Sequence, residues 1–221
     1  MGQKVNPHVI RLGTTHTWSS RWFDEKGYKD TVLEDYIIRK NLMERLKIAG
    51  IARVEIERSI NSLRLLIYVS RPGIVIGRGG TGLEDLKKYI TQLFVKIRKN
   101  KNLPKLDIRV EPVKEPNLDS YLVATNIADQ LIRRLPFKRI LATTAEKVMT
   151  SGAKGVKILL SGRIAGAEIH RREKIHLGTV PLSTIREDIS YSHVPALTKK
   201  GYIGVKVWIN RAREKAKGAV S

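Results

Sequence analysis

The chain has 221 residues, enough for one large domain or two ordinary ones, and its apolar content of 42% supports a packed core. Its 42 lysines and arginines face 21 acidic residues, a net charge of +21 shared about equally between the two halves, so the expected partner is a polyanion. The absence of cysteine excludes disulfides, thiolate zinc sites and cysteine nucleophiles and fits a reducing compartment; no apolar stretch approaches the ~18 residues of a membrane span, the N-terminus lacks a signal-peptide pattern, and Asn6 stands where a myristoylation signal wants Ser or Thr.

Residues 1–30 show no periodicity and read as an extended, RNA-binding arm, pinned to the fold by Trp18, Trp22 and Phe23. A helix is expected over 31–49, with Glu34 and Asp35 in its first turn and Lys47 in its last to match the dipole, and Gly50 as its stop. ARVEIERS alternates, Val54 and Ile56 on one face and Glu55 and Glu57 on the other. After a turn at Asn61 and Ser62, LRLLIYV puts Leu63, Leu65, Ile67 and Val69 on one side, which predicts a hairpin. Pro72 can open a very short helix, PGIVI. The glycine loop GRGG follows, and then a helix whose Leu83, Leu86, Ile90, Leu93, Phe94 and Ile97 repeat at helical spacing, with Lys87 and Lys88 off that stripe. LDIRVE predicts a strand with Leu106, Ile108 and Val110 inward.

Two prolines in EPVKEPN mark a linker at 113–116. Beyond it, the spacing predicts a helix capped by Asp119 or Ser120 and running to Leu135, a second over 137–151 with Ile140, Leu141, Thr144, Ala145 and Val148 on one face, and four strands at 155–161, 167–176, 185–191 and 203–210. The tail 211–221 is basic, without an apolar period, and is expected to be flexible.

The loop decides between functions. Glycines let a backbone come close to a phosphate. GxGxxG (Gly77, Gly79, Gly82) would suit a dinucleotide, and with it a nucleotide-dependent enzyme. That fingerprint must come straight off a strand, and Arg71-Pro72-Gly73 intervenes. GxxG (Gly77 to Gly80) between two helices instead suits the backbone of about four nucleotides of single-stranded nucleic acid, with Arg78 adding charge. A flexible turn is the plain alternative. No GK[ST] occurs, so a Walker A loop is excluded.

The order helix-strand-strand-helix-GxxG-helix-strand resembles a type II KH domain (αββααβ). MGQKVNP, RPGIVIGRGG, GAKGVKILLSGRIAGAEI and GVKVWI resemble the bacterial-type family of small-subunit ribosomal protein number three, across residues 1–210. The resemblance implies an α+β chain: a KH domain at 31–112, then a domain of two helices and a four-stranded sheet at 117–210. It also implies a structural protein of the small subunit that binds small-subunit ribosomal RNA and neighbouring ribosomal proteins and lines the mRNA entrance. The expected location is the cytoplasm, and the lack of an obvious transit peptide favours a bacterial or organelle-encoded copy. Many members carry two basic residues inside GxxG, where this chain has Gly79 in the second place. Relatives can carry three basic residues along the helix after position 136. Here Lys138 and Arg139 match two, and Ala142 stands at the third.

The expected RNA-binding residues are Gln3, Lys4, Asn6 and Arg11 of the arm, Gly77, Arg78, Gly79 and Gly80 of the loop, and Lys87, Lys88, Lys138, Arg139, Arg163, Arg172 and Lys174. In HRREKIH, residues His170, Arg172, Lys174 and His176 share one strand face. The two histidines would lie roughly 20 Å apart, too far to share a metal. SGRIAGAE places two glycines around Arg163, which suggests a close backbone approach or a β-bulge. No Ser-His-Asp set or paired carboxylates can be argued, so neither an enzyme nor a cofactor, metal, membrane or small-molecule partner is expected.

Overall fold

A computed structural model describes residues 4–98 and 104–212. Gln3 and residues 213–221 of the expected tail lie outside them. The chain forms two compact units: Trp18–Lys114, and the residues up to Thr17 together with those from Glu115 onward. The first thirty residues are therefore divided between the units instead of forming one arm.

In the unit from Trp18, strand β1 (Ser20–Arg21) is followed by helix α1 (Tyr28–Arg45), strands β2 (Ile51–Arg58) and β3 (Ser62–Val69), the short helix α2 (Pro72–Ile76), helix α3 (Thr81–Arg98) and strand β4 (Lys105–Pro112). The sheet order is β1-β2-β3-β4. β1 runs parallel to β2, β2 antiparallel to β3, and β3 parallel to β4. The alternation in β3 does what its period implies, burying Leu63, Leu65, Ile67 and Val69 at 1% exposure or less. Ile38 and Leu42 of α1 and Leu86, Ile90 and Phe94 of α3 complete this core.

The start of α1 departs from expectation. Asp24 accepts hydrogen bonds from the Gly27 amide (2.8 Å) and the Thr31 hydroxyl (3.3 Å), so the helix begins at Tyr28. Glu34 and Asp35 thus lie in its second turn and are buried, at 4% and 3% exposure. They do not serve the helix dipole. Arg58 of β2 donates to Glu34 Oε2 at 2.7 Å and to Asp35 Oδ1 at 2.8 Å. Asp35 Oδ2 also accepts from the Ser20 hydroxyl (3.0 Å) and the Trp22 indole (2.8 Å). One carboxylate thereby ties the segment before α1 to both helix and sheet. Trp22 is the aromatic that pins this segment; Trp18 and Phe23 are 66% and 86% exposed and do not.

In the second unit, helices α4 (Ser120–Ile132) and α5 (Phe137–Thr150) precede strands β5 (Ala153–Gly162), β6 (Arg171–Gly178), β7 (Ile189–Thr198) and β8 (Gly201–Arg211). All neighbours pair antiparallel, in the order β6-β5-β8-β7. Asp119 caps α4 by accepting from the Tyr121 and Leu122 amides at 2.9 and 3.2 Å. The inward faces of β5 and β8 and the apolar stripes of both helices form a single core.

The third strand lies at 189–198, not at 185–191. The backbone at 181–187 is diverted, because the carbonyls of Pro181, Leu182, Thr184 and Glu187 all bind the Arg11 guanidinium. Pro195 is tolerated because β7 is an edge strand.

Candidate nucleic-acid interface

The glycine loop joins α2 to α3 in the first unit. Gly77 has φ 70°, and a Cβ there would lie 2.9 Å from the Gly82 amide nitrogen. A Cβ on Gly82 would lie 2.5 Å from the Val75 carbonyl oxygen. These two glycines are therefore spent on crossing α2 over the start of α3. Gly79 and Gly80, at φ 62° and 83°, face open space, and Arg78 and Gly79 are exposed. The GxGxxG reading thus splits: its first and last glycines pack the turn, while Gly79 and Gly80 leave backbone accessible. Since α2 separates β3 from the loop, the strand-to-loop step that a dinucleotide site needs is missing. Lys87 and Lys88 are exposed on the following turns of α3, and among the described residues neither they nor Arg78 has a carboxylate within 4 Å.

The segment before Thr17 corrects one expectation. Arg11, read as an RNA contact, is fully buried. Its guanidinium donates to the carbonyls of Pro7, Glu187, Pro181, Leu182 and Thr184 at 2.9 to 3.4 Å. A cation so enclosed by backbone oxygens holds the chain together and cannot reach a phosphate. Lys4 and Asn6 remain exposed, though the Asn6 Oδ1 accepts from the His8 amide at 2.9 Å to close a local turn.

Beside Arg11, His8 Nε2 lies 2.9 Å from the amide nitrogen and 3.0 Å from the carbonyl oxygen of Tyr191. A neutral ring can accept from the first and a protonated ring donate to the second. Burial holds the His8 pKa below its ordinary value, and the neighbouring His16 lowers it further. His16 is lowered as well, mainly by burial, and Asp188 offsets part of this. The Asp188 Oδ1 is 3.3 Å from His16 Nε2 but not aligned for a hydrogen bond.

In the second unit, Lys138 and Arg139 are exposed on the first turn of α5, whose other face buries Ile140, Leu141, Ala145 and Val148. Neither has a carboxylate within 4 Å among the described residues. Arg163 is exposed after β5, and its Nε donates to the Ala167 carbonyl at 2.9 Å. Gly162 makes the close backbone approach, because a Cβ there would sit 2.7 Å from the Tyr202 carbonyl oxygen.

Arg172, Lys174 and His176 do share the exposed face of β6, while His170 precedes the strand. Register extends that face. Lys174 lies across from Leu159, which lies across from Lys206, and His176 lies across from Lys157, which lies across from Trp208. Lys157 and Lys206 therefore join the cationic face, and the Lys157 ammonium stands 5.4 Å from the Trp208 ring centroid. Sequence reasoning missed these two lysines. The period-two alternation of KILLSG and GVKVWI carried the signal, but only the register aligns it with β6.

Among the described residues no group of three or more His, Cys, Asp or Glu could hold a metal, and no helix is long and apolar enough to cross a membrane. Family models match twice: a KH domain over residues 37–118 and the C-terminal domain of ribosomal protein S3 over 127–209. The chain is 48% identical over 209 residues to the small ribosomal subunit protein uS3 of Desulfosudis oleivorans, covering 95% of this chain and 94% of that one. It is 45% identical over 211 residues to that of Lactobacillus helveticus, covering 96% and 91%, and 44% identical over 209 residues to that of Lachnoclostridium phytofermentans, covering 95% and 92%. With a KH unit and a second α+β unit in this order, and relatives this similar over nearly their whole length, the chain belongs to the family of small ribosomal subunit protein uS3.

Proposed function

We propose that this chain, a structural and non-enzymatic component of the small ribosomal subunit, holds ribosomal RNA through its KH loop and its exposed sheet face and lines the mRNA entrance with the first turn of α5. The observation that carries the mRNA reading is the state of Lys138 and Arg139. Both are exposed on a helix anchored by its other face, and neither is neutralised by a described acid. Cations fixed this way cannot read sequence, but they hold a phosphate backbone and oppose re-pairing of strands that have just been separated. The accessible backbone at Gly79 and Gly80, with Arg78, Lys87 and Lys88 nearby in sequence, supports a separate contact to RNA backbone. Arg172 and Lys174, with Lys4 and Asn6, add phosphate contacts in the second unit. The dinucleotide-enzyme reading is dropped, because the family is a structural one.

The test is translation of paired messages that differ only in hairpin stability. Lys138→Ala with Arg139→Ala should leave subunit assembly near normal and slow the stable-hairpin message more than the unstructured one. Ala142→Lys, one helical turn from Lys138, should speed hairpin passage. Equal slowing on both messages would remove the mRNA role and leave these residues to general binding.

A further inference from the structure

A cavity of about 530 Å³ lies in the second unit, between the α4–α5 turn, the segment after β5 and the β7–β8 turn. Its size falls in the ~300–1,000 Å³ range of sites that enclose small molecules. Four cations line it: Arg134, Arg163, Lys199 and Lys200. Leu135 and Phe137 give it apolar surface. Among the described residues none of the four cations has a carboxylate within 4 Å. Four unneutralised charges around one apolar hollow repel one another, and an anion is what would relieve them.

The backbone adds a second, independent sign. Among the described residues, the non-glycine residues with left-handed φ are Arg134 (61°) and Ala165 (55°), and both line this cavity. Arg134 sits just past the end of α4, where glycine is the usual occupant. The chain keeps an arginine in a position that disfavours any side chain, at the rim of a cationic pocket. Backbone strain of this sort collects at ligand sites.

The geometry points to a site for one unpaired nucleotide of single-stranded RNA, its base against Leu135 and Phe137 and its flanking phosphates on the four cations. This rests on the RNA-binding reading given above. Duplex RNA does not satisfy the arrangement, because its bases are stacked away from an apolar floor while its phosphates lie on a convex surface. The site shares Phe137 with the first turn of α5 but uses neither Lys138 nor Arg139.

The experiment uses the full chain, a ten-residue oligouridylate and a blunt RNA duplex of the same length, read by fluorescence anisotropy across a salt series. Arg134→Gly removes a charge and a left-handed side chain together. Its unfolding temperature should stay equal or rise, while oligouridylate affinity falls about five-fold and the salt slope drops by ~0.7, the value of one single-strand phosphate contact. Leu135→Asn, at an exposed position and without change of charge, should weaken oligouridylate about three-fold and leave the salt slope alone. Duplex affinity should hold in both variants. If both variants bind oligouridylate like the wild type, the cavity is not a site although RNA binding stands. If Arg134→Gly lowers stability and weakens both RNAs equally, the residue is structural. Wild-type protein that binds neither RNA overturns the general reading along with this one. Oligoglutamate binding that needs Arg134, without oligouridylate binding, makes the cavity a protein contact.

Discussion

The sheet of the KH unit and the α4–α5 edge of the second unit are both rich in arginine and lysine, and they use them in opposite ways. In the sheet, Arg21, Arg53, Arg58, Arg64 and Arg109 each have a carboxylate within 4 Å, supplied by Glu34, Asp35, Glu55, Glu57 and Asp107. At the edge, Arg134, Lys138, Arg139, Arg163, Lys199 and Lys200 have none among the described residues. Five acids of the first unit are thus engaged by its own sheet arginines, and a net charge of +21 does not by itself say which cations are available. Arginines held by carboxylates, or like Arg11 by backbone carbonyls, are engaged within the fold. Exposed cations with no described carboxylate are open to phosphate.

The largest effects should come from breaking a cation that braces. Arg58→Ala removes the arginine paired with the buried carboxylates of Glu34 and Asp35, and Arg11→Ala removes a donor shared by five backbone carbonyls. Each should cost about 3–5 kcal/mol in urea unfolding. If instead Arg11→Ala kept full stability and only RNA affinity fell, Arg11 would belong with the binding cations and the comparison would blur at its clearest point.

A smaller effect is expected at the loop. Arg78→Asp with Gly79→Asp puts negative charge where Gly79 faces open space. Asp tolerates the left-handed backbone better than most residues. Circular dichroism should be unchanged while affinity of the full chain for single-stranded RNA falls about ten-fold. Unaltered binding would make the loop only a turn.

The smallest effect concerns pH. His8 and His16 have folded pKa values below the ordinary 6.5, so the unfolded chain takes up protons first as pH drops. The stability that these neutral rings contribute is complete above pH 6.5 and is lost as pH falls below it. His16→Gln should flatten the fall of the urea midpoint between pH 7 and 5. An unchanged profile would show that the rings are not held neutral.

Much of this was legible before the structure. The order of elements, the inward faces of β3, α3 and α5, and the GxxG context follow from periodicity and turn residues, because those are local properties. Apart from the start of α1, set locally by Asp24, the main exceptions are long-range. Arg11 looks like any basic residue of an irregular segment until the carbonyls of 181–187, some 170 positions later, close around it. Glu34 and Asp35 fit a dipole argument until Arg58 arrives from the sheet. Lys157 and Lys206 become part of a cationic face only through strand register, and Arg134, Arg163 and Lys199 meet only when three separate turns come together. A residue's charge is written in the sequence, but its counter-charge is set by the fold.

The most direct test removes two charges from each region and reads the salt dependence of RNA binding. Arg64→Ala with Arg109→Ala takes two paired cations from the sheet. Lys138→Ala with Arg139→Ala takes two unpaired cations from α5, with the same change in net charge. Affinity of the full chain for single-stranded RNA, plotted as log K against log salt, should keep the wild-type slope in the first variant. In the second the slope should become shallower by about 1.4, two single-strand phosphate contacts at ~0.7 each. Equal slope changes in both variants, or a change confined to the paired set, would contradict the account.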